Sequence, residues 1–277
     1  MKKSITYWAL TRKSVEENLK LVKEAGFDAV ELTFGENDVL NPNTDKSSCE
    51  KIFKQTKKIG LEISSLAPSF YWGYPLTSNK KEIRQKSIDL TLKYIELASY
   101  LNAKAVLIVP GLVGADFIPN SEVIDYDIAY ERMKEAVNQI LPKAEKKGII
   151  LCLENVWNKF LLSPLEIRDF IDSFKSNYVK AYFDVGNVLL TGYPEQWIKI
   201  LGNRIKRIHF KDFKRAVGNI NGFVDLLEGD VDWKKVMDAL RKIGYDGYCT
   251  AEVFPYKFAP DALIYNTSKA MDYIFSL

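Results

Sequence analysis

One phrase repeats along the whole of this chain: an amphipathic helix, a glycine or asparagine, then a short run rich in β-branched residues. Gly26 precedes Ala29-Val30-Glu31-Leu32, Gly60 precedes Leu61-Glu62-Ile63, and Asn102 precedes Ala105-Val106-Leu107-Ile108. Gly148 leads into Ile149-Ile150-Leu151, and Gly244 into Tyr248. A Gly or Asn at such a point fits a left-handed helix terminus, after which the chain turns into a buried strand. The pattern predicts strands near residues 4–9, 28–33, 61–67, 104–109, 149–154, 179–184, 205–210 and 248–253. Helices fill the intervals, at 14–25, 45–59, 80–101, 126–147, 163–174, 194–201, 232–243 and 260–275. No Pro/Ser-rich linker interrupts the alternation, so residues 1–277 are expected to form one parallel α/β domain. Eight units point to a (β/α)8 TIM barrel, which typically needs about 250 residues; a doubly wound sheet is the alternative.

Four of the predicted strands end on a side chain that can bind a metal. Ile-Ile-Leu-Cys-Leu-Glu closes on Glu154, Lys-Ala-Tyr-Phe-Asp on Asp184, Arg-Ile-His on His209, and Tyr-Cys-Thr-Ala-Glu on Glu252. His209 is the only histidine, so any imidazole chemistry passes through it. In a barrel, catalytic groups come from the strand C-termini and gather at one face. A doubly wound sheet scatters them along an edge, so the barrel accounts for these residues better. Taken singly, each acid also reads as a helix cap or an ion-pair partner. Four in successive units carry the argument. One imidazole with three carboxylates suits one divalent ion, Mn²⁺ first, with Mg²⁺, Co²⁺ or Zn²⁺ as alternatives. Such a site leaves room for two substrate oxygens, so the ion can act as a Lewis acid on a carbonyl and its neighbouring hydroxyl.

Charge and composition exclude other classes. A net charge of +3 is too small for a nucleic-acid footprint. No N-terminal apolar stretch resembles a signal peptide, and no apolar run is long enough to span a membrane. The three cysteines, Cys49, Cys152 and Cys249, share no metal-like spacing, and two lie in predicted strands as small core residues. A cytoplasmic protein with no membrane partner is expected, and a homo-oligomer is left open. Longer segments at 68–79 and 110–125 follow the third and fourth strands; the first, Pro-Ser-Phe-Tyr-Trp-Gly-Tyr-Pro, either covers a pocket or packs on its own aromatics.

The C-terminal half resembles the xylose isomerase-like barrel superfamily, and within it the sugar (phosphate) isomerase/epimerase families. The pieces that carry the resemblance are Leu-Glu-Asn (153–155), Tyr-Phe-Asp-Val-Gly-Asn (182–187), Ile-His-Phe-Lys-Asp (208–212), Glu-Gly-Asp-Val-Asp-Trp (228–233) and Thr-Ala-Glu (250–252). In the ketose 3-epimerases the matching Glu, Asp, His and Glu bind the metal, and the two glutamates exchange protons with substrate. The resemblance therefore implies Glu154 and Glu252 as the acid/base pair, with Asp184 and His209 as pure ligands. Inverting a carbon beside a carbonyl requires removing a proton from one face and returning it to the other, through a metal-bound enediolate.

Arg215 lies six residues beyond His209, the spacing of a substrate-binding arginine in those epimerases; alternatively it belongs to a solvated basic run with Lys211 and Lys214. Asn187 stands where the epimerases place a substrate-binding histidine, and Phe160 where they carry a second glutamate. Trp8, at the end of the first strand, and Trp157 are candidates to stack on a sugar, or else pocket wall. Glu31 is inward by parity and reads as structural, with Arg207 one candidate for the cation it needs; Glu228 and Asp230 shape the loop before the last helical unit. The expected substrate is a small sugar or sugar phosphate, with 3-epimerisation of a ketose or ketose phosphate the leading activity. The alternatives are an inosose dehydratase-like lyase and a hydroxypyruvate isomerase-like aldose–ketose isomerase. A multi-zinc nuclease on the same barrel is excluded by the single histidine, and the intact ligand set argues against a non-catalytic sugar-binding barrel.

Overall fold

The computed structural model describes residues 1–277. Eight parallel strands close into a barrel: β1 (Lys2–Thr6), β2 (Ala29–Phe34), β3 (Glu62–Pro68), β4 (Ala105–Ile108), β5 (Ile150–Glu154), β6 (Val179–Asp184), β7 (Ile205–Phe210) and β10 (Tyr248–Ala251). Each is followed by a helix: α1 (Val15–Glu24), α2 (Lys46–Ile59), α3 (Lys81–Tyr100), α4 (Tyr126–Lys147), α5 (Pro164–Asp172), α6 (Pro194–Leu201), α7 (Trp233–Lys242) and α8 (Pro260–Ser276). The sheet closes where β1 pairs with β10. Four of the helices start on side-chain caps: Ser14 and Glu17 form a reciprocal capping box on α1, and Asp45, Ser163 and Asp232 accept from the first turns of α2, α5 and α7. They end as the repeated phrase requires: Gly26, Gly60, Asn102, Gly148 and Gly244 all take positive φ, between 54° and 91°.

Two departures from the sequence reading bear on the site. The first strand stops at Thr6, the last residue with a partner on β2, and Tyr7–Ala9 turn into a 3₁₀ helix. Trp8 therefore sits on a turn at the mouth rather than at a strand end. After β7 the chain does not run out as a solvated basic loop: β8 (Asp212–Phe213) and β9 (Phe223–Val224) pair as a short antiparallel hairpin. Asp212 anchors it. This buried carboxylate accepts from the backbone N–H groups of Phe213, Leu227 and Val231 and from the indole of Trp233, at 2.9–3.2 Å.

The apolar core lies chiefly between the outer strand faces and the helices, and the lumen carries a band of polar groups. Ser4 and Ser64 share a hydrogen bond of 2.8 Å, and Ser65 and the Tyr182 hydroxyl both donate to Glu31 Oε2. Arg207, a candidate cation for Glu31, instead donates to the Ser64 carbonyl and lies over the Tyr248 ring. Parity placed it inward correctly, but two residues nearer the strand start than His209 leaves it below Glu31. The two long segments at the mouth are tied together by Thr77, whose Oγ1 donates to the Leu112 carbonyl and accepts from the Leu112 N–H. Phe70 packs on Phe34 and Tyr94, while Trp72 meets Phe117 edge-on over the cavity, so the aromatic segment both packs on itself and covers a pocket.

Candidate metal centre and its cavity

Strands β5, β6, β7 and β10 are consecutive neighbours around the barrel, so their C-terminal residues form one arc: Glu154, Asp184, His209, then Glu252 just past its strand. Register places Asp184 beside His209. Glu252 keeps its place by donating its N–H to the Phe210 carbonyl at 3.0 Å. One ligand atom from each of the four lies within 4.8 Å of all the others. The two glutamates end up at opposite ends of the arc, with the aspartate and histidine between them.

The set fits a divalent ion on two grounds. Asp184 Oδ2 is buried without a hydrogen-bond partner, the condition of an oxygen reserved for something else. The ligands are also hard oxygens with one imidazole, suited to Mn²⁺ or Mg²⁺. Electrostatics without the ion show the same demand for positive charge. Burial pushes the Asp184 carboxyl up to about 8 and raises Glu154 as well. Burial also works against Glu252, but Lys211 and His209 outweigh it and hold that carboxyl down at about 2. Burial disfavours a charged His209, yet Glu31, Glu154 and Glu252 raise it well above its ordinary range.

The imidazole is gripped from two sides. Nδ1 faces the acids, 3.0 Å from Glu154 Oε1 and 3.4 Å from Glu252 Oε2, while Nε2 donates to Glu31 Oε1 at 2.8 Å. A carboxylate behind a ligating histidine fixes the ring and raises its basicity. Glu31, fully buried, is therefore a positioning residue for His209 from across the lumen. Glu31→Gln is expected to weaken Mn²⁺ binding about 10- to 100-fold while the fold persists. Calorimetric titration with Mn²⁺ checks this, and an unchanged affinity removes the orienting role.

Lys211 is the residue that the sequence reading misplaced. Rather than joining a solvated basic run, it is 9 % exposed, with Nζ 2.9 Å from Glu252 Oε2 and 3.8 Å from Asp184 Oδ2. Its ammonium also faces the Phe223 ring, so the β8–β9 hairpin seals it in. The signal was available: alternation from His209 points residue 211 into the lumen.

These groups open into a cavity of about 490 Å³ walled by Trp8, Trp72, Trp157, Asn187, Phe223 and Phe254. Trp8 is held by Asp38, and the Trp157 indole donates to the Asn187 carbonyl at 2.9 Å. Asn187 gives its side-chain NH₂ to the Asn155 carbonyl, leaving its amide oxygen for other donors. Phe160 is buried among Tyr126, Tyr130 and Phe170. Arg215 is not brought to this wall: its Nε donates to the Leu189 carbonyl at 3.0 Å, and its guanidinium faces Tyr193.

A parallel eight-stranded barrel with three carboxylates and an imidazole converging on its C-terminal rim defines a (β/α)8 protein with a side-chain set able to hold one divalent ion. Comparison with known proteins agrees. The chain belongs to the xylose isomerase-like TIM barrel family, whose profile matches residues 19–274. Among curated relatives it is 26% identical over 256 residues to the putative L-ribulose-5-phosphate 3-epimerase SgbU of Escherichia coli K12, covering 87% of this chain and 84% of that protein. It is 22% identical over 242 residues to the L-ribulose-5-phosphate 3-epimerase UlaE of Salmonella paratyphi A, covering 83% and 79%. A solved structure of the D-psicose 3-epimerase of Clostridium cellulolyticum H10, with D-tagatose, superposes with a TM-score of 0.83 over 99% of both chains at 18% identity, a likeness of fold. No helix of this chain is long and apolar enough to cross a membrane.

Proposed function

We propose that this protein is a metal-dependent isomerase that epimerises a ketose or ketose phosphate at C3. The observation that carries the reading is the arc itself: two glutamates at its two ends, facing one cavity across an aspartate and a histidine. The relatives named as 3-epimerases of L-ribulose 5-phosphate support the same reaction type. Glu154, Asp184, His209 and Glu252 would hold the ion, Mn²⁺ by preference. When bound, it supplies Lewis-acid polarisation of the substrate carbonyl and the adjacent hydroxyl.

The rest falls to the chain's own groups. Epimerisation at C3 takes a proton from one face and returns one to the other, so it needs two proton carriers on opposite sides. Glu154 and Glu252 fill that geometry, one accepting the C3 proton while the other delivers, with the roles exchanged for the reverse reaction. Lys211, at 2.9 Å from Glu252, keeps that carboxylate aimed and charge-balanced. Trp8 and Trp157 stack on the C–H faces of the sugar and exclude water, and Asn187 accepts from a hydroxyl. Incubating the Mn²⁺-loaded protein with ketoses and ketose phosphates in D₂O tests the reading by NMR. Deuterium at C3 together with the C3 epimer is expected. Loss of water in place of a mass-neutral product assigns the chain to the lyases, and no exchange on any ketose overturns the proposal.

A further inference from the structure

A second cavity, of about 420 Å³, adjoins the first and is not used by the chemistry above. The two meet along Phe117, Val156, Trp157, Asn187 and Ile220, which line both. From there the second cavity runs outward between the segment after β5, the segment after β6 and the tip of the β8–β9 hairpin. Its wall is mainly apolar, including Phe160, Leu161, Val188 and Trp197, with Leu162 and Leu190 half exposed at its edge.

Charge decides what this space can take. A phosphate needs free cations or converging backbone donors. Lys159 is the only cation on the wall of the second cavity, and its ammonium is already 2.6 Å from Asp116. On the wall of the first, Lys211 belongs to Glu252 and Asp184, and His209 to Glu31 and Glu154. Arg215 lines neither wall; its Nε donates to the Leu189 carbonyl and its guanidinium lies over Tyr193. A dianion in the second space would thus find no uncommitted side-chain cation on its wall to offset its desolvation. An apolar ring fits: a cavity of about 150 Å³ is enough for benzene.

We infer that the second cavity is a substrate subsite, and that the preferred substrate is an unphosphorylated keto sugar bearing an apolar or aromatic substituent at a carbon remote from the reacting carbonyl–hydroxyl pair. The sugar sits at the metal centre, and its substituent passes the Trp157–Asn187 wall into the apolar space. This rests on the epimerase reading above and narrows its substrate class.

Three probes separate the two ideas: a ketohexose, its 6-phosphate and its 6-O-benzyl ether, each followed by deuterium incorporation at C3 with the Mn²⁺-loaded protein. The benzyl ether is expected to show kcat/KM about tenfold or more above the parent, mainly through KM, as burial of a phenyl ring requires. Placing a charge at the cavity edge with Leu190→Asp should bring the ratio of benzyl ether to parent down towards one. Exchange on the parent with no gain for the benzyl ether, or the highest kcat/KM for the phosphate, overturns the inference and leaves the epimerase reading standing. Exchange on none of the three removes that reading, and this inference with it.

Discussion

Glu154→Gln and Glu252→Gln are each expected to lower turnover at least about 10²-fold, and up to about 10⁴-fold, the usual contribution of a positioned acid or base. Glutamine keeps the shape and one coordinating oxygen but cannot carry the proton. Mn²⁺ occupancy should therefore survive in both variants, as measured by metal analysis after gel filtration. The two variants should also differ in kind. With one carrier gone, the remaining glutamate can still exchange the proton on its own face. Each variant should therefore exchange substrate hydrogen with solvent from one epimer only, without interconverting the two. A variant that keeps more than about a hundredth of the wild-type rate has lost no obligatory proton carrier.

The second large effect concerns stability. Asp212→Ala removes one carboxylate and leaves three backbone N–H groups and the Trp233 indole without their acceptor. Hydrogen bonds to a charged group are worth about 1.5–3 kcal/mol each, and buried donors left unpaired are costly. A loss of about 3 kcal/mol or more is expected, which for a chain of this size lowers Tm by roughly 6–12 °C. Because the same hairpin covers Lys211, activity should fall along with Tm, whereas Asp212→Asn should restore part of both. A variant that melts with the wild type shows that the hairpin does not depend on this knot.

The barrel was legible because its grammar is local. Gly60 and Gly148 end helices in the left-handed region, and a strand follows at once, so periodicity placed nearly every element within a few residues. The four residues that the structure gathers at the rim were legible for the same reason, each closing its own apolar run. What escaped was non-local. Glu31 meets His209 across the lumen, from β2 to β7, and no local pattern encodes that pairing. Charge and strand parity point to Arg207 instead, but its place two residues before His209 sets it against Ser64. The β8–β9 hairpin has two residues per strand, too few to show alternation, so the cover it places over Lys211 was not legible. Trp8 was assigned to a strand because β-forming residues continue past Thr6, whereas pairing with β2 stops there.

The closure of the mouth by two mutually bonded segments has a consequence for engineering. The ligand arc comes from β5 to β10, while the cover near Trp72 and Phe117 comes from the stretches after β3 and β4. Selectivity can then be rewritten by grafting those two stretches from another barrel while the half that carries the ligand arc stays untouched. Thr77 and Leu112 make the graft indivisible, because transplanting either stretch alone strands the buried hydroxyl or the buried peptide groups of the other. Strand β2 must stay native in any such chimera, since Glu31 supports His209 from the half that otherwise tolerates exchange.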